Sequence, residues 1–201
     1  MDKASFVVKF GAVYEHSPWV AEVVYDDTGA ALRIEMIVEL EPLTRSAFEP
    51  FGEVLEIAGL KPEIISQGNT QKFADLARVT SGAGDRVQVS IYRSRVVSLP
   101  FRICQLERRS VHSQAFYPLH DRAFPVIVAL GDTRPDTLCA FLSNGQQGVN
   151  LHPGIWHHYQ LILGQESDYI VIDSVGTGEL CEEHRLGKEV LLTDRRKKWA
   201  K

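Results

Sequence analysis

From Arg86 onward the chain is a succession of short runs, each closed after about ten residues by Gly, Pro or Asn-Gly. "DRVQVSIYRSR" alternates, with Val87, Val89 and Ile91 on one face and Gln88, Ser90 and Tyr92 on the other. "PFRICQLERR" reads as its partner. "AFPVIVALGD" is apolar throughout, as in a strand covered on both faces. "DTLCAFLSNGQQG", "GVNLH", "HHYQLIL" and "DYIVIDS" complete the series. No segment among them is long and periodic enough for a helix. This pattern restricts the chain to a mainly β sandwich or barrel. The helices expected are few and short, one of them starting at Thr44 as N-cap, burying Phe48 and stopping at Pro50.

The ends of the chain differ from this middle. In residues 1–36, "FVVKFGAVYEHSPWVAEVVYDDTGAA" suggests a short amphipathic helix and a second helix capped by Ser17 with Pro18 at its first position. "DDTGA" then reads as a turn or linker. The last residues, "TDRRKKWAK", read as a basic, solvated tail.

Composition narrows the function classes. Of 201 residues, 44% are hydrophobic and 24% charged, with a net charge of −4, ordinary values for a soluble globular chain. An acidic balance speaks against a nucleic-acid or membrane partner. No apolar run spans a bilayer, and the N-terminus lacks a secretory signal. Cys104, Cys139 and Cys181 are odd in number and show no zinc-ribbon spacing. Together these features lead to an expectation of a cytoplasmic protein.

The densest chemistry lies in "GVNLHPGIWHH", Gly148 to His158. Asn150 and His152 share one strand face, and Val149 and Leu151 share the other. If the polar face lines a barrel lumen, the Pro153-Gly154 turn brings His152 and His157 together there, beside Asn150. His158 points away from His157. A structural role, as a hydrogen-bonded buried imidazole, is as common for such histidines as a catalytic one.

"PGIWH" resembles the second motif of the cupin barrels, in which a Pro-x-Gly-x-x-His turn delivers a metal ligand. Gly154 and His157 match, and the proline is displaced by one place. In the region of the first cupin motif only His120 matches. The resemblance implies a double-stranded β-helix, or jelly-roll, and a metal bound by His120 and His157. Two protein ligands are fewer than a tight site uses.

A second resemblance covers more of the chain. "LTRSAFEPFGEVLE", "SIYRS", "LERRSVHSQAFYPL", "VALGDTRPDTLCAFLSNGQQGVNLHPGIWHH" and "DYIVID" resemble the ureidoglycolate lyase family, in order and in spacing, over about residues 40–183. The resemblance implies a cupin-like homodimer that splits ureidoglycolate into glyoxylate and urea during purine breakdown. It implies either no metal requirement or a divalent metal, nickel being the one associated with the family. Separately, "EHSPWVAE" resembles the opening of the 2-oxo-4-hydroxy-4-carboxy-5-ureidoimidazoline decarboxylase family. The rest of that domain is missing, so His16 is not read as a catalyst. The resulting division is an appendage over 1–36, a lyase-like domain over 37–184 and a tail over 185–201.

Splitting this substrate requires a general base for its hydroxyl, a general acid for the leaving nitrogen and a clamp for its carboxylate. His157 and His152 are the expected proton-transfer pair, with the acid and the base unassigned. Arg93 is the expected carboxylate ligand. Gln114 and Asn150 are expected to read the ureido group. His112 shares a strand face with Gln114, and Asp173 either orients a histidine or ends a strand. Two other readings remain open at this stage: a hydrolase on the same substrate that releases ammonia, and a non-catalytic module that binds a small acid.

Overall fold

The structure, a computed structural model, describes residues 22–25, 31–131, 138–176 and 181–194. The first strands, β1 (Glu22–Tyr25) and β2 (Ala31–Ile34), form an antiparallel hairpin. This corrects the expectation of a second helix: the β-branched and aromatic run Val23-Val24-Tyr25 favours extended backbone. The remainder of that expectation, including Ser17 and Pro18, lies outside the described residues.

Next come β3 (Met36–Pro42), helix α1 (Arg45–Phe48), β4 (Gly52–Leu55), β5 (Glu63–Ile65) and β6 (Thr70–Lys72). The central strands are β7 (Arg86–Ser94), β8 (Val96–Val97), β9 (Phe101–Arg108), β10 (Gln114–Pro118) and β11 (Pro125–Ala129). The last six are β12 (Leu138–Leu142), β13 (Gly148–Leu151), β14 (Trp156–His157), β15 (Ile162–Leu163), β16 (Ser167–Val175) and β17 (Glu182–Thr193). The expected one-turn helix is present. Thr44 Oγ1 accepts from Ala47 N at 3.2 Å, and Phe48 is fully buried.

Two sheets organise the chain, as a cupin-like jelly-roll requires. One closes on itself as a barrel in the order β11-β12-β3-β17-β9-β14. The other is open, in the order β4-β13-β10-β16-β7. Two cores follow from strand alternation. Ile127, Ala129, Ala140, Leu40, Val38, Val190, Leu192, Ile103 and Trp156 form a cluster drawn from all six barrel strands. Residues of opposite parity, Val126, Val128 and Phe141, leave the barrel and pack against Val149, Leu151, Phe116, Tyr169 and Val171 of the open sheet.

The C-terminal boundary differs from expectation. Residues 185–193 continue β17, pairing with β9 and, in parallel, with β3. Val190 and Leu192 are fully buried, so this segment completes the barrel instead of beginning a tail. The basic run from 195 lies outside the described residues.

Gly52 shows how closely β4 and β13 pack. A Cβ there meets the Asn150 carbonyl oxygen at 1.9 Å, a contact that only glycine avoids.

Candidate functional site

The alternation that builds the second core also places the polar residues. His157 pairs with Val128 on β11 and with Glu107 on β9, so these side chains face the open sheet. On that sheet, Gln114 and Phe116 of β10 share the inward face with Val171 and Asp173 of β16. Polar groups from both sheets therefore meet at one end of the intersheet layer.

The turn before β14 delivers His157. Gly154 adopts φ +81°, donates its N–H to Arg109 O at 2.8 Å, and reverses the chain. His157 is 2% exposed. Its Nδ1 lies 3.0 Å from Ile155 O, and its Nε2 lies 3.1 Å from Gln114 Oε1 and 3.5 Å from Glu107 Oε1. Gln114 Nε2 donates to Asp173 Oδ2 at 3.4 Å. A carboxylate only accepts, so this contact turns the amide NH2 to Asp173 and Oε1 to His157. Every partner of the His157 ring is then an acceptor. Only an imidazole protonated on both nitrogens satisfies them all.

The charges around the ring agree with this. Hydrogen bonding to His157, with its charge and that of Arg109, holds the Glu107 carboxyl below its ordinary value despite burial. Arg109 Nη2 lies 3.3 Å from Asp173 Oδ2. Tyr92 reaches the same cluster, and burial with the nearby Asp173 carboxylate pushes its phenol up, so it stays a donor. Phe116 lies between the Tyr92 and His157 rings, with centroids 6.5 and 6.4 Å away. Tyr92 and Glu107 remain partly exposed, which opens the cluster to solvent.

Several expected site residues lie elsewhere. His152 and His157 do not converge. Val149 and Leu151 form the inward face of β13, and the Asn150–His152 face points outward. Asn150 is buried there because a crossing segment covers it: Nδ2 donates to Arg78 O at 3.2 Å and to Glu53 Oε2 at 2.8 Å. His152 Nε2 lies 3.4 Å from the same Glu53. Arg93 is also on an outward face, 67% exposed, with both carboxylate oxygens of Asp168 at 2.8 and 2.9 Å. It borders a surface groove of about 480 Å³ lined also by Arg95, Val96 and Tyr159. Gln114 reaches the cluster, but both ends of its amide are engaged by protein. His112 pairs with Asp85 at 2.5 Å, away from His157. His158 packs on Phe101 and Tyr159, and burial lowers its pKa.

The implied metal does not fit this donor set. Among the described residues no three His, Cys, Asp or Glu side chains are grouped to hold an ion. His120 packs edge-on against Phe124 and Tyr169, with Nδ1 accepting from Arg122 N at 3.1 Å. Both nitrogens of His157 are already engaged.

Four residues of the cluster, Glu107, Arg109, Tyr92 and Asp173, were not singled out as site residues from sequence, or were left ambiguous. Glu107 and Arg109 sit two apart in "LERR", which marks a shared strand face but not its partner. Asp173 had two readings, orienting a histidine or ending a strand; it lies within β16 and contacts Gln114 and Arg109.

Comparison with known proteins now adds to the geometry. The family model described as ureidoglycolate lyase matches residues 35–193. A Burkholderia mallei (strain NCTC 10229) protein named ureidoglycolate lyase is 43% identical over 159 residues, covering 78% of this chain and 94% of that relative. A Pseudomonas aeruginosa (strain LESB58) protein of the same name is 44% identical over 150 residues, covering 73% and 89%. An Azotobacter vinelandii one is 44% identical over 156 residues, covering 76% and 94%.

Proposed function

Because this chain belongs to the ureidoglycolate lyase family, we propose that it splits ureidoglycolate into glyoxylate and urea at the cluster of His157, Glu107, Arg109 and Tyr92. The observation that carries this reading is the His157 ring, whose two nitrogens face acceptors and whose Nε2 lies 3.5 Å from the Glu107 carboxylate. That pair supplies an acid and a base side by side.

The reaction follows from these positions. The substrate carboxylate binds Arg109, which meets Asp173 through Nη2 and has further guanidinium donors to offer. Glu107 takes the proton of the substrate hydroxyl. The O–H electron pair becomes the new carbonyl bond, and the carbon–nitrogen bond breaks with its electrons on nitrogen. His157 gives that nitrogen a proton, releasing urea and leaving glyoxylate. Glu107 is now neutral and His157 has lost its charge, so the proton returns across their contact and the pair is reset. Tyr92, held protonated beside Asp173, stands at the exposed edge of the cluster. Gln114 and Asp173 orient the ring instead of touching substrate. No step passes through a metal.

Purified protein given ureidoglycolate is expected to release urea and glyoxylate in equal amounts without ammonia. Ammonia in place of urea would mean hydrolysis. No turnover by folded protein would leave a binding module.

We also propose a homodimer. Val87, Val89, Ile91 and Tyr117 are exposed on the outward face of β7 and β10, with Val89 at 69% and Ile91 at 66%. Apolar sheet faces of this kind are uncommon on monomers. Sedimentation velocity is expected to show a dimer that Ile91→Lys converts to monomer, and a monomeric wild type would contradict the proposal.

A further inference from the structure

Asp173 raises a question that the proton-transfer pair does not answer. It is 1% exposed, its Oδ1 has no hydrogen-bond partner, and Oδ2 lies 3.3 Å from Arg109 and 3.4 Å from Gln114, with the Tyr92 phenol also hydrogen-bonding the carboxylate. Burying a carboxylate costs several kcal/mol unless its pairing is close. Asparagine has nearly the same shape and avoids that cost. The charge therefore has a use that asparagine lacks.

That use is visible at Gln114. A carboxamide has two orientations of nearly equal shape and opposite hydrogen-bonding sense. An asparagine at 173 presents either an oxygen or an NH2 and accepts both orientations of Gln114. A carboxylate accepts only one. We propose that Asp173 is a positioning residue: by taking the Gln114 N–H it fixes Gln114 Oε1 towards His157, and so keeps His157 Nε2 a proton donor. The chain Asp173–Gln114–His157 joins β16, β10 and β14, and so transmits a hydrogen-bond polarity from one sheet to the other. With Gln114 reversed, its NH2 faces His157 Nε2, which must then give up its proton and accept. The ring is left with its proton on Nδ1, bonded to Ile155 O, and has none to give to a leaving nitrogen. Glu107 alone, at 3.5 Å, opposes that reversal.

This role rests on the lyase reading for its purpose but not for its test, which is read at the His157 ring without substrate. Nitrogen-15 NMR of the imidazoles at pH 7, with His157 assigned by the signal lost in His157→Gln, is expected to show both nitrogens protonated in wild type. Asp173→Asn, which accepts both orientations of Gln114, is expected to lower the fraction of rings protonated at Nε2. The exchange Asp173→Asn with Gln114→Glu conserves charge and volume and again presents only an acceptor to His157, so that fraction is expected to return. In turnover, the single variant loses up to about 10²-fold in kcat, the lower range for removing an acid, with little change in KM, and the exchange recovers most of it. A ring in folded Asp173→Asn as fully protonated at Nε2 as in wild type overturns the proposal, as does a neutral ring in wild type. If the single variant does not fold, the exchange decides alone: a neutral ring in that folded double variant overturns it equally. Absence of turnover in wild type contradicts the lyase reading and leaves the NMR result to stand by itself.

Discussion

Replacing His157 by glutamine is expected to lower kcat by about 10²–10⁴-fold, the range for loss of a positioned acid, while KM moves little. Glutamine keeps a donor near Nε2 but has no proton to transfer. The leaving nitrogen then departs as an anion or takes its proton from water. The pH dependence follows from the partner. Glu107 must be ionised to accept the hydroxyl proton, so the rate falls as pH falls through the carboxyl's titration. His157 and Arg109 hold that carboxyl below its ordinary 4.5, which places the acid limb of kcat/KM below the usual carboxylate range. A carboxyl this acidic is a weak base in the free enzyme. It strengthens as His157 gives up its charge, which is why the two transfers belong together. In Glu107→Gln the carboxylate limb is expected to vanish along with most of the activity. A pH–rate profile of wild type and both variants checks all of this. Retention of more than a tenth of wild-type kcat by His157→Gln would remove His157 from the chemistry.

Arg109→Met is expected to raise KM by roughly 10- to 100-fold, since hydrogen bonds to a charged partner contribute about 1.5–3 kcal/mol. Methionine keeps the stem and deletes the donors. The buried Asp173 loses its cation in the same step, so some loss of stability accompanies the effect. Product inhibition separates the two, because glyoxylate shares the carboxylate and its inhibition constant should rise by a similar factor. The control is Arg93→Met, which breaks a surface pair with Asp168 and is expected to leave KM unchanged. Exposed pairs of this kind contribute little to stability or binding. If Arg93→Met raises KM and Arg109→Met does not, the carboxylate binds in the surface groove.

The contrast between these two arginines shows what the sequence could and could not disclose. Alternation established that Arg93 shares a face with Val87, Val89 and Ile91, and the structure agrees. It did not say which face turns inward. That apolar row is outward, and the Tyr92 row points into the molecule. The same ambiguity affected β13. Asn150 and His152 do share a side, but Val149 and Leu151 supply the intersheet core and so claim the inward face. Asn150 is buried by a segment more than seventy positions earlier, Arg78, a contact that no local pattern encodes. His157 was legible because a Pro-Gly turn and a following strand residue are local features. Its partner Glu107 is fixed by the register of β14 on β9, separated by fifty positions of chain. The barrel's last strand was missed for a similar reason. "EVLLT" sits beside charged residues in the sequence, and only pairing with β3 and β9 shows Val190 and Leu192 to be core.

The most direct test of the central claim is a crystal structure of the His157→Gln protein with ureidoglycolate bound. The account predicts the substrate carboxylate on the Arg109 guanidinium, the hydroxyl against Glu107 and the ureido nitrogen attached to the central carbon facing position 157. Substrate found instead beside Arg93 and Arg95, or at the outward cluster of Glu53, Asn150 and His152, would contradict it.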